Sequence, residues 1–192
     1  MRLREYIEKH LTDREVVLDN PNYPVYVDKK NNVAYFPLFN LSGKFVGYQR
    51  YNPKGIKGID SPKIPNDQKK YFTHVTKENP EKNISSIALY GLHTIDKRPY
   101  VFVVEGVFDA MKLIKLKQPV VAVLSNDPKH LQNFFFLLQK RIIVISDNDK
   151  AGKKLKRLSN DSYDTPDGYK DLGDMPLKEV KKFIDDILRG AK

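Results

Sequence analysis

The spacing of apolar residues changes along the chain, and each change predicts a different type of secondary structure. Near the start, Leu3, Tyr6, Ile7 and Leu11 follow helical spacing, which predicts one short helix. From Val25 onward, apolar residues recur at every second position, as is typical of half-buried strands separated by turns. We therefore predict a β-meander whose three strands span residues 25–28, 33–38 and 45–50.

After Pro99, continuous apolar runs are separated by amphipathic segments. The apolar runs predict buried strands at 100–104, 119–124 and 141–146, with a further short strand at 163–165. The amphipathic segments predict helices at 108–117, 128–140, 151–158 and 176–188. Strands that lack alternation and are separated by helices indicate a parallel sheet covered on both faces.

The predicted fold class is therefore α/β with two parts. Residues 98–192 form a domain with a central parallel sheet flanked by helices. Residues 1–97 form a smaller mixed α/β subdomain of α+β type. The turn-forming segment at 96–99 marks the predicted border between them.

A strongly basic composition changes the interpretation of the first half. The chain of 192 residues carries a formal net charge of +10 and a pI near 9.5, which favours a polyanionic partner. Residues 52–85 are poor in apolar residues and rich in Lys, Pro, Gly and Asn. A basic surface with aromatic residues binds phosphates and stacks on unpaired bases; the alternative is a solvated loop anchored by its aromatic residues. The aromatic residues concerned are Tyr48, Tyr51, Tyr71, Phe72 and His74.

Several classes of protein are disfavoured by composition. The chain has no cysteine, so disulfides and thiolate zinc sites are excluded, and its four histidines stand far apart in sequence. No apolar run approaches the roughly 20 residues that a membrane-spanning helix needs, and the first residues lack the apolar stretch of a signal peptide. We predict a cytoplasmic protein with no membrane partner.

Acidic residues follow two of the predicted buried strands. Glu105 comes directly after the strand at 100–104, Gly106 allows an immediate turn, and Asp109 lies one helical turn later. Asp147 and Asp149 follow the strand at 141–146, and their spacing directs both side chains the same way. In α/β sheets the carboxyl ends of strands are where ligands bind. We call Glu105–Asp109 the first acidic segment and Asp147–Asp149 the second.

A third acidic segment, Asp171–Asp174, follows Lys170. Converging carboxylates repel one another unless a divalent cation binds them, and Mg²⁺ prefers such oxygen ligands. Two ions about 3.5–4 Å apart activate an attacking oxygen and stabilise a leaving one, so the joint pattern predicts metal-dependent phosphoryl chemistry. The P-loop and kinase motifs are absent. A phospho-aspartate enzyme would leave Glu105, Asp109 and Asp171 without a role.

These segments resemble the Toprim domain. The resemblance is carried by Glu105-Gly106-x-x-Asp109, by Asp147-x-Asp149 after a strand, and by Ala151-Gly152. Bacterial-type primases, topoisomerases of types IA and II, small nucleases and recombination mediators share that domain. Lys170-Asp171-Leu172-Gly173-Asp174 is similar to a later segment of DnaG-type primases, in the phage form. Upstream, Leu41–Arg50, Lys69–Phe72 and Leu89–Leu92 follow the order of the primase subdomain that precedes Toprim.

The resemblance implies the catalytic core of a DNA primase, which synthesises short RNA primers on single-stranded DNA from ribonucleoside triphosphates. It implies two or more Mg²⁺ or Mn²⁺ ions, with catalysis by Glu105, Asp109, Asp147 and Asp149. Asp171 and Asp174 complete the implied metal ligands. The residues expected to hold template, nascent RNA or nucleotide are Arg50, Lys69, Lys70, Tyr71, Lys150, Lys153 and Lys170.

The chain departs from the primase pattern at three points. Asn148 replaces the commoner glycine between the aspartates, and Asp171 and Asp174 are three positions apart rather than two. The cysteine zinc module is absent, so we expect a separate zinc-binding module and a replicative helicase as partners. These features suggest a core from a phage, located in the host cytoplasm, or a piece of a split primase. The alternatives are a Toprim nuclease, in which the same metals activate water, and a non-catalytic nucleic-acid-binding replication factor.

Overall fold

An antiparallel sheet lies in the first half of the chain and a parallel sheet in the second. The computed structural model describes residues 6–18, 25–57, 63–79, 81, 84–85, 87–124, 128–148 and 152–190. The chain divides into two compact units, Met1–Tyr90 and Gly91–Lys192. The mixed α/β fold class predicted from the sequence is confirmed.

The first unit contains α1 (Tyr6–Asp13), β1 (Tyr26–Asp28), β2 (Val33–Phe39), β3 (Phe45–Tyr51) and β4 (Tyr71–Val75), followed by the small pair β5 (Lys77–Asn79) and β6 (Ile84–Ser85). The first four strands form an antiparallel sheet in the order β1-β2-β3-β4. The three predicted strands are present as β1, β2 and β3, each within about a residue of its predicted ends. The apolar pattern does not predict β4, because most of its side chains are solvent-exposed and lysines precede it.

The core of this unit lies beneath β2 and β3. Phe36 and Tyr90 are buried and meet edge to face, with ring centroids 5.9 Å apart. Helix α1 buries Ile7 and Leu11, as its helical spacing predicts, whereas Leu3 lies outside the described residues. Strand β2 is buried at most of its positions, whereas β3 and β4 carry partly exposed side chains that include Arg50 and Tyr71.

The second unit contains β7 (Tyr100–Val104), α2 (Val107–Lys115), β8 (Val120–Ala122), α3 (Gln132–Leu137), β9 (Arg141–Ser146), α4 (Gly152–Leu155), β10 (Ser162–Asp164) and α5 (Leu177–Arg189). Its strands form a parallel sheet in the order β10-β9-β7-β8. The central strands β7 and β9 are almost wholly buried, which accounts for their continuous apolar sequences. Val103 pairs with Val144, so the two strands end within one residue of each other at the carboxyl edge of the sheet.

Two predicted helices are shorter in the structure. The helix predicted at 128–140 begins as a 3₁₀ turn at Pro128–Leu131 and is α-helical only in α3. Gln139 adopts a φ of 50°, which ends the helical path before β9. The helix predicted at 151–158 is α4 followed by a 3₁₀ turn at Lys156–Leu158. Apolar periodicity does not distinguish these tighter turns from an α-helix.

The division between the units falls at Gly91 for a packing reason. A Cβ at Gly91 would lie 2.4 Å from the carbonyl oxygen of Val120, so only glycine fits there. The Thr94 hydroxyl donates to the same carbonyl at 3.0 Å and accepts from the Val120 N–H at 2.7 Å. Residues 91–95 therefore pack with β8, before the border predicted after residue 97. None of the helices in the described part of the chain has the length and apolar character that crossing a bilayer requires.

Candidate active site

Asp109 is a buried carboxylate at the start of α2. Its residue is only 5% exposed. Its Oδ2 accepts a hydrogen bond from the Gly106 N–H at 3.1 Å, and its Oδ1 accepts one from the Gly173 N–H at 2.8 Å. A Cβ at Gly106 would lie 2.8 Å from Oδ2. Glycine at position 106 thus lets the carboxylate fold back over the end of β7.

The surroundings of Asp109 show that all three acidic segments lie close to one another. Burial, followed by the negative charges of Asp147 and Asp171, raises the pKa of the Asp109 carboxyl to about 8. The two backbone N–H donors, of Gly106 and Gly173, oppose this rise but do not overcome it. The structure therefore brings Asp109, Asp147 and Asp171 together within electrostatic range.

Glu105 and Asp147 follow the two central strands. Both are half-buried, and the pairing of β7 with β9 sets Glu105 level with Ser146, the residue before Asp147. A Cβ at Gly152 would lie 2.2 Å from the Asp147 carbonyl oxygen, so α4 begins directly against the Asp147 backbone. The predicted residues Asp149 and Lys150 lie outside the described residues. Lys153 is exposed on α4.

The third acidic segment forms a capped turn. Asp171 Oδ1 accepts from the Asp174 N–H at 3.0 Å, which caps the 3₁₀ turn Leu172–Asp174. Lys170 Nζ lies 3.6 Å from Asp171 Oδ2. Asp174 is exposed. Asp171 is half-buried, and its negative charge is among the causes of the raised pKa of Asp109.

Lys112 links α2 to the end of the third acidic segment by a hydrogen bond. This residue was not identified from the sequence. It is only 4% exposed, and its Nζ donates to the Met175 carbonyl at 2.8 Å. Together with the bond from Gly173 to Asp109, this contact holds the third acidic segment on α2. A lysine on the otherwise apolar face of a helix, one turn after Asp109, is the signal that would have identified it.

The donor set fits a divalent cation. A buried carboxylate between two others is unfavourable when all are charged, and a bound cation removes that repulsion. Each carboxylate oxygen has a second lone pair, so the two backbone bonds to Asp109 leave it able to ligate. Within the residues that the structure describes, no three His, Asp or Glu side chains are grouped as a ready-made ligand set. The fit to a cation therefore rests on the carboxylate chemistry and on the electrostatic coupling of Asp109 to Asp147 and Asp171, not on a preformed ligand group among the described residues.

Four of the residues predicted to contact nucleic acid or nucleotide lie on β3, on β4 and at the end of the segment between them: Arg50, Lys69, Lys70 and Tyr71. The Arg50 guanidinium donates to the carbonyls of Asn66 and Lys69, the latter at 3.2 Å, and lies 5.9 Å from the Phe72 ring centroid. Arg50 therefore stabilises the turn before β4 by hydrogen bonds. The side chain of Lys70 lies over the Tyr51 ring, and Tyr71 is 38% exposed.

Residues 102–171, which contain the carboxylates that follow β7 and β9, match the family model described as Toprim-like. A curated relative, the DNA primase of Staphylococcus epidermidis, is 26% identical over 160 residues, which cover 78% of this chain and 25% of that protein. The chain thus spans about a quarter of the length of the curated relative that it matches.

Solved structures identify the fold of the chain more closely. A structure of the DnaG catalytic core matches 99% of this chain and 74% of its own, at 15% identity and a TM-score of 0.65. A chain in the structure of bacteriophage T7 lagging-strand DNA polymerase with primase domains bound to an RNA/DNA hybrid matches at 18% identity and a TM-score of 0.60, covering 93% and 89%. The chain has the fold of a DnaG-type primase catalytic core, which confirms the predicted resemblance.

Proposed function

We propose that this chain is the catalytic core of a DnaG-type DNA primase that synthesises short RNA primers on single-stranded DNA during replication. The observation that carries the proposal is the convergence of Asp147 and Asp171 on the buried Asp109. It is supported by the fold of a DnaG catalytic core and by the similarity to a curated DNA primase.

The reaction is a nucleotidyl transfer. A 3′-hydroxyl oxygen attacks the α-phosphorus of a ribonucleoside triphosphate, a new phosphodiester bond forms, and the bond to the β-phosphate breaks. Pyrophosphate leaves, and the hydroxyl proton passes to solvent. Toprim primase domains are metal-dependent. A divalent cation supplies charge neutralisation at the attacking and leaving oxygens.

The acidic residues would hold two or more ions, Mg²⁺ or Mn²⁺. Asp109 is the fixed point of this set, because two backbone N–H groups set its orientation. Asp147 follows β9 and Asp171 caps its turn, so each is held by regular structure. The proposed ligands are Glu105, Asp109, Asp147, Asp149, Asp171 and Asp174.

Basic side chains would bind the polyanionic substrates. Lys170 adjoins Asp171 and would neutralise triphosphate oxygens, a role also proposed for Lys150 and Lys153. Lys69, Lys70 and Tyr71 would contact template or primer through phosphate neutralisation and stacking. Arg50 would support this surface by holding the Asn66–Lys69 turn. A replicative helicase and a separate zinc-binding module are the proposed protein partners, in the cytoplasm.

The test is incorporation of labelled ribonucleotides on single-stranded DNA templates of varied sequence, with Mg²⁺ or Mn²⁺. Templates are tried with and without a helicase and a zinc-binding module. We expect short RNA products that disappear in Asp147→Ala, while circular dichroism shows the same fold. Absence of product under every condition would contradict the proposal. Metal-dependent cleavage of nucleic acid without nucleotides would instead indicate the nuclease alternative.

A further inference from the structure

The Asn148 side chain joins the second acidic segment to the loop that leads to the third. Its Nδ2 donates to the Thr165 carbonyl at 2.8 Å and to the Tyr169 carbonyl at 3.2 Å. Its backbone N–H donates to the Lys170 carbonyl at 3.4 Å. A side-chain amide has two N–H donors, and both are used here on backbone carbonyls.

Thr165, whose carbonyl accepts from Asn148, is itself held by hydrogen bonds. The Thr165 N–H and hydroxyl both donate to the Ser146 carbonyl, at 3.0 and 3.1 Å, and Thr165 is almost completely buried. Ser146 is also buried, and its hydroxyl donates to Asp164 Oδ1 at 2.9 Å. The pairing of β9 with β10 thus continues past the strand ends through side chains. Asn148 is the last member of this series of bonds.

The far end of the connection reaches Asp171 directly. Lys170, whose carbonyl accepts from the Asn148 N–H, precedes Asp171 in the chain. Asp171 caps its own turn, and Gly173 in that turn donates to Asp109. The hydrogen bond from Asn148 to Lys170, the backbone from Lys170 to Gly173 and the hydrogen bond from Gly173 to Asp109 therefore connect the residue after Asp147 to the carboxylate of Asp109.

We propose that Asn148 is a positioning residue that sets Asp171 relative to Asp147, and so determines how tightly the acidic segments bind a divalent cation. The proposal rests on the proposed function only in taking these carboxylates as metal ligands. Glycine at this position would make the turn but supply no side-chain donor. Aspartate would have nearly the same shape, yet its carboxylate would face two carbonyl oxygens without a proton to donate.

The first test is calorimetric titration of Mn²⁺ into the intact protein without nucleotide or DNA. We expect Asn148→Gly to weaken Mn²⁺ binding roughly tenfold, the usual scale for a residue that orients a metal ligand. Asn148→Asp should weaken it at least as much, although it adds a negative charge that by itself attracts the cation. A weakened affinity in Asn148→Asp therefore separates lost positioning from changed charge.

Asn160→Gly is the matched control, since Asn160 is an exposed residue of the same unit in the loop before β10. It should bind Mn²⁺ as the unchanged protein does. Thermal unfolding of each variant shows whether the fold is kept. If Asn148→Gly unfolds, Asn148→Ser supplies a smaller hydroxyl donor and an intermediate affinity is expected.

A double-substitution cycle tests whether Asn148 acts through Asp171. In the Asp171→Asn background, adding Asn148→Gly should change Mn²⁺ affinity by less than twofold. Full additivity of the two effects, or unchanged affinity in both Asn148 variants, would overturn the proposal, as would a protein that binds no Mn²⁺. Because the readout needs no nucleotide, a protein that makes no primers yet loses metal affinity in Asn148→Gly retains this inference and loses the proposed function.

Discussion

The Gly173 N–H donates to Asp109 Oδ1 at 2.8 Å, so a backbone group of the third acidic segment orients the carboxylate of the first. The two residues lie far apart in sequence, on a helix after β7 and in a turn before α5. This bond makes the position of Asp109 depend on the folding of the whole second unit.

Gly106→Ala should displace the Asp109 carboxylate and reduce activity. The new Cβ would lie 2.8 Å from Asp109 Oδ2, so the carboxylate must shift away from its backbone donor. We expect primer synthesis to fall by at least tenfold and the free energy of unfolding in urea to fall by about 1–3 kcal/mol. Gly190→Ala is the control: its φ of 78° makes alanine strained, yet nothing lies near its Cβ position. It should lose about 1 kcal/mol and keep activity.

The stability of the metal-free protein should fall as pH rises from about 4 to 8 because of Asp109. The pKa of its carboxyl is raised from 3.8 to about 8 in the folded state, so the folded state holds a proton that the unfolded state releases. The contribution is fully present below the unfolded pKa and is lost as pH rises through the folded pKa. Thermal unfolding measured in EDTA across this range checks it.

Asp171→Asn should reduce that pH dependence. The asparagine Oδ1 still accepts from the Asp174 N–H, but the negative charge that helps to raise the pKa of Asp109 is gone. We expect a smaller fall in Tm between pH 5 and 8 than in the unchanged protein, together with weaker primer synthesis. An identical pH profile in both proteins would show that Asp171 does not act on Asp109.

Lys112→Met should loosen the third acidic segment. Methionine fills similar space but cannot donate to the Met175 carbonyl, which lies in a buried part of the unit. We expect a loss of about 1–3 kcal/mol in the free energy of unfolding, measured in urea. Lys115→Met on the exposed face of α2 is the matched control and should change stability by less than about 0.5 kcal/mol. Equal losses in both variants would argue against the buried bond.

Lys69→Ala and Tyr71→Ala should weaken binding to single-stranded DNA in different ways. If Lys69 neutralises one phosphate, its removal reduces the slope of log affinity against log salt by about 0.7. Tyr71→Ala should lower affinity by about 1–3 kcal/mol at every salt concentration, because stacking involves no counterions. Fluorescence anisotropy with labelled DNA measures both. Lys182→Ala on α5 is the control, and an equal effect there would indicate non-specific attraction.

Sequence spacing was most informative where the structure is local. The strands β7 and β9 are continuous apolar runs because both of their faces are buried, and the predicted bounds agree with those observed. Gly106 and Asp109 were singled out because a turn followed by one helical turn returns the chain to the strand end. By contrast, β4 is a short, exposed strand whose pairing with β3 depends on long-range hydrogen bonds, and no apolar pattern marks it.

The sequence by itself determined the order of strands and helices in the second unit, the excess of positive charge, and which carboxylates follow buried strands. Each of these depends on backbone periodicity or composition, which act over a few residues. Only the tertiary structure decided that Asp147 and Asp171 lie within electrostatic range of the buried Asp109. It also decided that Lys112 and Asn148 donate to carbonyls on either side of the third acidic segment. Those outcomes depend on which carbonyl and N–H groups form hydrogen bonds across loops of irregular backbone. The spacing of residues along the chain does not predict such bonds.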